Sequence, residues 1–168
     1  PVTIVTETGR PVQSIGGLNV HVDHGLDSVK PETTNALILI GSDTWSKPSK
    51  NQKVLDLARD YLERGILVGG ICAATLALTR SGITEGRKHT SNSVEFLKYY
   101  LKDSYRGEKD YVSKLAVRDG NLVTASGVGA LEFTFEVLTF LGVYTEEKRN
   151  QWYAMYKHGT EPPASYWG

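Results

Sequence analysis

The sequence predicts a single α/β domain built on a mostly parallel, doubly wound sheet. Leu37–Ile40 and Ile66–Ile71 are unbroken apolar runs, which are typical of parallel strands covered on both faces. Helical patterns lie between and after these runs, and strands that alternate with helices form right-handed βαβ units. With 168 residues, one domain spanning positions 1–168 is expected, long enough to bury a substantial core.

Shorter strands are predicted on either side of this core. Val2–Thr6 is rich in β-branched residues and predicts an opening strand, while Val20 and Val22 alternate with polar neighbours, as in a half-exposed strand. Later in the chain, Asp119–Gly120 separates two apolar runs and predicts a β-hairpin. The hairpin adds an antiparallel element to a sheet of otherwise flavodoxin-like type.

Helical periodicity accounts for much of the remaining chain. From Val54 the apolar residues fall at positions 54, 57, 58, 61 and 62, and Gly65 stands where a helix commonly ends. After Thr145, acidic residues in the first turn and basic residues in the last turn suit the dipole of a final helix. The other predicted helices are Ala73–Leu78, Val94–Leu101 and Leu131–Leu141.

The composition excludes several classes of function. Lysine plus arginine number 19 and aspartate plus glutamate number 19, so there is no basic excess to bind nucleic acid or a membrane surface. No run approaches the roughly 18 apolar residues of a membrane span. The single cysteine rules out an intrachain disulfide and favours a reducing, cytoplasmic compartment.

The segment Gly70-Ile71-Cys72-Ala73-Ala74 carries the clearest chemical signal. It places the only cysteine where a buried strand turns into a helix, in the pattern of a nucleophile elbow with Cys in place of Ser. Small neighbours permit such a tight turn, and the amides at a helix start favour the thiolate, which is the reactive form. The alternative is an inert buried thiol, the commoner state of a free cysteine.

The setting of the strands favours the reactive cysteine. Doubly wound folds bind their ligands at the carboxyl ends of parallel strands, where Cys72 is expected. Leu37–Ile40 ends in Gly41-Ser42, so the amides of Ser42 and Ala73 are candidates for an oxyanion hole. An ordinary strand-ending turn explains Gly41-Ser42 equally well.

Three ordered stretches make the chain similar to the ThiJ/PfpI superfamily, the class I glutamine-amidotransferase-like group of protein deglycases and intracellular protease/amidases. These stretches are Gly70–Ala74, Gly86–Asn92 and Asp119–Gly127, the last continued by Ala130–Phe133. The resemblance runs from Pro1 to about Val143. It implies that Cys72 is the nucleophile, that the amides of Ser42 and Ala73 bind the oxyanion, and that the protein forms a homodimer.

The chain departs from the family pattern in three ways. Many members have a His after the cysteine, where this chain has Ala73, so a protease-type triad is not expected. Where some members place a His close to the thiol, this chain has Asn92, which cannot accept a proton at neutral pH; His89 is a neighbour in sequence. Members also begin with a further strand and helix, and that strand leads to a Glu that hydrogen-bonds the thiol. We expect this unit and its Glu to lie upstream of Pro1.

Other polar and aromatic residues are candidates for the site. The candidate pocket residues are Gly41, Trp45, His89 and Asn92. Trp45 is as readily explained by packing. His21 and His24 lack the further ligands that zinc requires, so no metal is predicted. The segment His158-Gly159-Thr160-Glu161 lacks the His-x-Glu spacing of class I glutaminases, which argues against a glutaminase subunit of an amidotransferase.

The sequence therefore predicts a cysteine-dependent enzyme that uses no cofactor. Its substrates are expected to be small carbonyl or amide compounds, and the resemblance to the superfamily implies an amidase, hydrolase, deglycase or glyoxalase-like reaction. The alternative is a non-enzymatic redox sensor or chaperone that depends on reversible oxidation of Cys72. Neither a nucleic-acid nor a membrane partner is expected.

Overall fold

A four-stranded sheet forms the centre of the structure, a computed structural model that describes residues 1–47 and 51–167. Its strands are β5 (Ala36–Leu39), β6 (Leu67–Ile71), β7 (Ala116–Asp119) and β8 (Leu122–Ala125). The spatial order is β5-β6-β8-β7, in which β5, β6 and β8 run parallel and β7 is antiparallel to β8. The predicted α/β class, with a parallel-dominated sheet and an added hairpin, is confirmed.

Helices follow the strands as the periodicity predicts. Within the described ranges the α-helices are α1 (Gln52–Glu63), α2 (Ala74–Arg80), α3 (Val94–Leu101), α4 (Ala130–Phe140) and α5 (Glu146–His158). Helices α1 and α2 pack on β6, and α4 contacts β6, β7 and β8. α5 begins after Thr145, whose hydroxyl accepts the Lys148 N–H, and it ends at Gly159 with a φ of 67°. None of these helices has the length and apolar character to cross a membrane.

The strands near the N-terminus are much shorter than the sequence predicts. They are β1 (Val5–Thr6), β2 (Val12–Gln13), β3 (Asn19–Val20) and β4 (His24–Gly25). β1 pairs in parallel with β4, and β2 pairs antiparallel with β3, but among the described residues neither pair joins the central sheet. Leu26 is the one buried side chain in residues 1–30, so this region has little core to support longer strands.

β5 is covered on one face only, which contradicts the expectation that both faces of this strand are buried. Leu37 and Leu39 lie in the core with α1 and α2, whereas Ile38 is 38% exposed and Ile40, just after the strand, is 70% exposed. β5 is also an edge strand, because β6 is its single partner in the part of the chain that is described. The apolar run correctly predicts a strand, but burial of each face depends on what packs across it.

β6 is an inner strand of the sheet, with buried clusters on both of its faces. Val68 packs with residues of α1 and α2, while the preceding Leu67 packs with Val123 and with Phe133 of α4. Gly69 allows the Phe133 ring to lie against the strand, since a Cβ there would be 2.7 Å from the ring. β6 is therefore held between two layers, and Cys72 follows at its carboxyl end.

Candidate functional site

Cys72 directly follows β6 and adopts a left-handed backbone conformation. Its φ is 58°, which costs a non-glycine residue about 1–2 kcal/mol. Its N–H donates to the Ala125 carbonyl at 2.9 Å, and its carbonyl accepts the Thr75 N–H at 3.1 Å. The first bond extends the β6–β8 pairing by one residue, and the second begins the turn into α2. The strand–elbow–helix geometry predicted for this segment is present.

Glycine makes room for the thiol on two sides. A Cβ at Gly41 would lie 3.0 Å from the Cys72 Cβ, and a Cβ at Gly127 would lie 3.0 Å from the Cys72 Sγ. Gly41 lies just after β5 and Gly127 just after β8, the two strands that pair with β6. The carboxyl ends of three parallel strands thus meet at a half-buried cysteine, which is where doubly wound folds place their sites.

Several backbone N–H groups at this edge have no acceptor within residues 1–47 and 51–167, and two of them are expected from the sequence. These two belong to Ser42 and Ala73. Ser42 precedes a short 3-10 helix, and its hydroxyl accepts the Thr44 N–H at 3.2 Å. Ala73 directly follows the cysteine. These are the amides that the sequence proposes as an oxyanion hole, and that role stays a prediction.

Asn92 is the side chain that contacts the thiol. Its Nδ2 lies 3.6 Å from the Cys72 Sγ, and its Oδ1 accepts the Gly127 N–H at 2.9 Å. Because a backbone N–H can only donate, this second bond determines the orientation of the carboxamide and directs Nδ2 at the sulfur. Asn92 therefore supplies a hydrogen-bond donor to the thiol and is not a base.

The structure places His89 in a fully buried cluster where both ring nitrogens have other partners. Nδ1 lies 2.8 Å from the Arg87 carbonyl oxygen, and Nε2 lies 2.9 Å from the Tyr105 hydroxyl. Since a carbonyl only accepts, Nδ1 is assigned the proton, and in the neutral ring Nε2 accepts from Tyr105. The His89 carbonyl also accepts the Val112 N–H at 2.8 Å. His89 thus anchors the segment 105–112 and is not brought to Cys72.

Trp45 is placed in the hydrophobic core. Its ring is 8% exposed and packs in the cluster that contains Leu37 and Leu55. The Trp45 Nε1 donates to the Ile40 carbonyl at 2.7 Å, and the Trp45 backbone carbonyl accepts a hydrogen bond from the Arg80 guanidinium at 2.9 Å. The packing interpretation accounts for Trp45, whose indole nitrogen is already bonded.

Tyr105 offers a pH-dependent test of the His89 cluster. Burial, aided by Tyr111, raises the pKa of Tyr105 to about 12 from an ordinary value of 10.0. Above pH 10 the unfolded chain loses this proton while the folded state keeps it, so stability falls as pH rises from about 10 to about 12. Stability is measured as the urea midpoint at pH values between about 10 and about 12. We expect the midpoint to fall less with pH in Tyr105→Phe than in the native protein, whereas Tyr99→Phe, at an exposed tyrosine, should leave the fall unchanged. An identical slope in native protein and Tyr105→Phe would contradict the assignment.

A cavity of about 490 Å³ lies apart from the predicted site residues. It is lined by residues of α4 and α5 and by the start of β7, among them Glu132, Phe135 and Tyr153. Burial raises the pKa of Glu132, but hydrogen bonds from Lys157 and Tyr153 outweigh that effect and leave the pKa below its usual value. Lys157 and Tyr153 lie on α5 and Glu132 lies on α4, so these hydrogen bonds join the two helices. The Glu132 carboxylate therefore has a structural role in helix packing.

The remaining histidines do not form a site. His21 and His24 are exposed, and His158 stands at the last position of α5. Within the described ranges, no group of three or more His, Cys, Asp or Glu side chains is arranged to hold a metal ion.

Sequence reasoning did not identify Gly127, Thr75 or Ser91 as parts of the site. The position of Gly127 after a strand that neighbours β6 was an available signal, because parallel strands end at the same edge. Thr75 and Ser91 are hydrogen-bonded at 2.7 Å although they are 16 positions apart. No local pattern indicates such a pairing.

The fold and this site define an α/β protein that carries a cysteine at the elbow between an inner parallel strand and a helix, with unbonded amides at the same sheet edge. The chain belongs to the DJ-1/PfpI family, which matches residues 1–139. The resemblance expected from the sequence is confirmed.

Relatives and solved structures agree with this membership. A Bacillus subtilis protein named protease YoaZ is 37% identical over 146 residues, which are 87% of this chain and 69% of YoaZ. Deglycase PfpI of Pyrococcus furiosus is 30% identical over 118 residues, 68% of this chain and 66% of that protein. The crystal structure of a thiJ/pfpI family protein from Bacillus anthracis has a TM-score of 0.88 and 38% identity, covering 97% of this chain and 74% of that one. The family thus includes proteins named as protease and as deglycase.

Proposed function

We propose that the protein is a cofactor-independent enzyme that uses Cys72 as a nucleophile on small carbonyl or amide substrates. The observation that carries this proposal is the conformation of Cys72, a positive-φ residue at the carboxyl end of the inner strand β6. Backbone strain that hydrogen bonds hold in place is typical of functional sites. The names protease and deglycase in the family are consistent with chemistry at a carbonyl carbon.

In the proposed reaction the thiolate of Cys72 attacks the carbonyl carbon. A C–S bond forms, and the π electrons of the carbonyl move to its oxygen, which the Ser42 and Ala73 amides then stabilise. With methylglyoxal, protonation of that oxygen yields a hemithioacetal, and a proton then moves from its carbon to the neighbouring ketone carbon to give a lactoyl thioester. Water hydrolyses this thioester to lactate and the free thiol. With an amide, the amine leaves with a proton, and water hydrolyses the resulting thioester. Asn92 donates to the sulfur and so orients it before attack.

The reaction also needs a group that moves protons. Within the described residues the Cys72 sulfur has no carboxylate or imidazole partner. We propose that a Glu supplies this function from an additional strand that pairs with the outer edge of β5. Support comes from that unpaired edge, from the exposure of Ile38 and Ile40, and from the greater length of YoaZ. Hydrogen exchange of the β5 amides can be compared between this chain and a polypeptide extended upstream. If the β5 amides exchange equally fast in both, the additional strand is refuted.

Turnover on a defined panel tests the proposed function. We expect the protein to consume methylglyoxal or to release the chromophore from a small aryl amide, with a covalent adduct on the peptide that contains Cys72. Absorbance and intact-protein mass measure the two results. If neither substrate class reacts, while peroxide-treated protein prevents a client from aggregating, the redox-sensor or chaperone alternative replaces the enzyme.

A further inference from the structure

Buried hydroxyl groups connect three segments that surround Cys72. Thr75, Thr90, Ser91 and Thr124 are each at most 2% exposed. Thr75 lies on α2, Thr124 lies on β8, and the other two lie in the segment that leads to Asn92. Burying a hydroxyl is unfavourable unless it is hydrogen-bonded, so the partners of these groups are informative.

Ser91 is linked to the elbow through Thr75. The Thr75 Oγ1 lies 2.5 Å from the Cys72 carbonyl oxygen and 2.7 Å from the Ser91 Oγ. Because a carbonyl oxygen only accepts, Thr75 donates its single hydroxyl proton to Cys72 and accepts the proton of Ser91. The direction of both hydrogen bonds is thereby determined.

Thr90 links the same segment to β8. Its N–H donates to the Thr124 Oγ1 at 2.9 Å, and its own hydroxyl donates to the Lys114 carbonyl at 2.8 Å. The next residue after Ser91 is Asn92, whose carboxamide bridges the Gly127 N–H and the Cys72 sulfur. The segment is therefore held at two consecutive residues immediately before the side chain that reaches the thiol.

Two other buried threonines show that a hydroxyl can remain here without a partner. Thr79, one turn further along α2, and Thr84 have hydroxyl oxygens with no hydrogen bond in the described part of the chain. The pairing of Thr75 with Ser91 is therefore not a general requirement of packing in this region. A buried hydrogen bond is directional and therefore orients the two groups that it joins. Apolar side chains of similar shape would fill the same space without orienting each other.

We propose that Ser91, acting through Thr75, is a positioning residue that holds the Asn92 carboxamide against the Cys72 sulfur. The inference rests on the proposed role of Cys72 as the reactive thiol. Without the Ser91 hydroxyl, Thr75 still donates to the Cys72 carbonyl, so the elbow keeps its bond. The segment before Asn92 keeps the bonds of Thr90 but loses the attachment at Ser91, the residue next to Asn92. The Asn92 Nδ2 is then held less firmly against the sulfur, and the thiol is less well oriented for reaction.

A double-mutant cycle on the alkylation of Cys72 tests the proposal, and this is the only cysteine to be labelled. At pH 7 we expect the second-order rate constant with iodoacetamide to fall about fivefold in Asn92→Ala and about threefold in Ser91→Ala, the scale of one hydrogen bond. In Ser91→Ala/Asn92→Ala the rate constant should equal that of Asn92→Ala, because Ser91 acts through Asn92. Thr79→Val, which removes an unbonded buried hydroxyl from the same helix, should leave the rate constant unchanged.

A conservative variant and a second break of the link complete the experiment. Ser91→Thr retains a hydroxyl and should retain the native rate constant. If Ser91→Ala does not fold, Thr75→Val removes the other hydroxyl of the Thr75–Ser91 hydrogen bond. The fold-change that Thr75→Val causes in the alkylation rate constant must then be smaller in the Asn92→Ala background. An unchanged rate constant in Ser91→Ala, or equal fold-changes with and without Asn92, would overturn the positioning role. Native turnover in a protein without the Cys72 thiol would overturn the proposed function instead.

Discussion

Replacement of Cys72 by Ser is expected to abolish turnover, lowering kcat by roughly 10⁴-fold or more, as loss of an enzyme's nucleophile does. A serine hydroxyl is almost entirely protonated at neutral pH and needs an adjacent base to become a nucleophile. The sulfur position has an N–H donor in Asn92, and among the described residues it has no histidine or carboxylate as a partner. The proposed Glu is far too weak a base to ionise a serine hydroxyl, so the oxygen would remain an alcohol in an otherwise intact site.

The measurement is kcat on each substrate that the native protein accepts. Serine and cysteine are similar in size, and the bonds that hold residue 72 at a φ of 58° are made by its backbone, so the Tm should stay close to native. Thr79→Val is the matched control, since it alters a buried side chain of α2 that does not contact the thiol. A Cys72→Ser protein with more than a tenth of the native kcat would show that the thiol is not the nucleophile.

Replacement of Gly70 by Ala is expected to produce a large loss of stability. A Cβ at Gly70 would lie 2.4 Å from the Leu78 Cδ1, and Leu78 is fully buried in the cluster that contains Leu55 and Ala58. Overpacking of this kind costs about 1–3 kcal/mol. The gain in chain entropy from replacing a strand glycine is roughly 0.5–1 kcal/mol, so the clash dominates. We expect the free energy of unfolding in urea to fall by about 1–2 kcal/mol.

A second substitution tests whether the clash is the cause. Leu78→Val shortens the side chain that occupies the space, so the loss in Gly70→Ala/Leu78→Val should be smaller than the sum of the single losses. Gly16→Ala is the control, because a Cβ there meets only the Ser14 Oγ at 3.9 Å. Native stability in Gly70→Ala would mean that α2 can move away from β6. The contact between Gly70 and Leu78 would then not limit the size of residue 70.

Local patterns were sufficient to predict the elements that carry the site. The helical spacing from Val54, the Asp119–Gly120 turn and the apolar run before Cys72 correctly predict α1, the hairpin and β6. Each of these elements depends on residues that are close in sequence, and so does the sharp turn at the cysteine, which needs small residues on both sides.

Predictions that depend on packing between distant segments were less successful. His89 and Asn92 are near neighbours in sequence, yet Asn92 reaches the thiol while both nitrogens of His89 are bonded in a buried cluster. Ile38 belongs to an apolar run that suggests burial on both faces, yet it is 38% exposed. In both cases the neighbours across space, and not those along the chain, decide the environment of the side chain.

The amino-acid sequence by itself determined the class of fold, the family and the position of a lone cysteine between a strand and a helix. Only the tertiary structure decided which groups bond the cysteine. The Asn92 amide, oriented by Gly127, reaches the sulfur, and Thr75, paired with Ser91, reaches the carbonyl. The physical reason is that strand and helix patterns arise from successive residues. A hydrogen bond between residues far apart in the chain exists only after the segments that carry them have packed together.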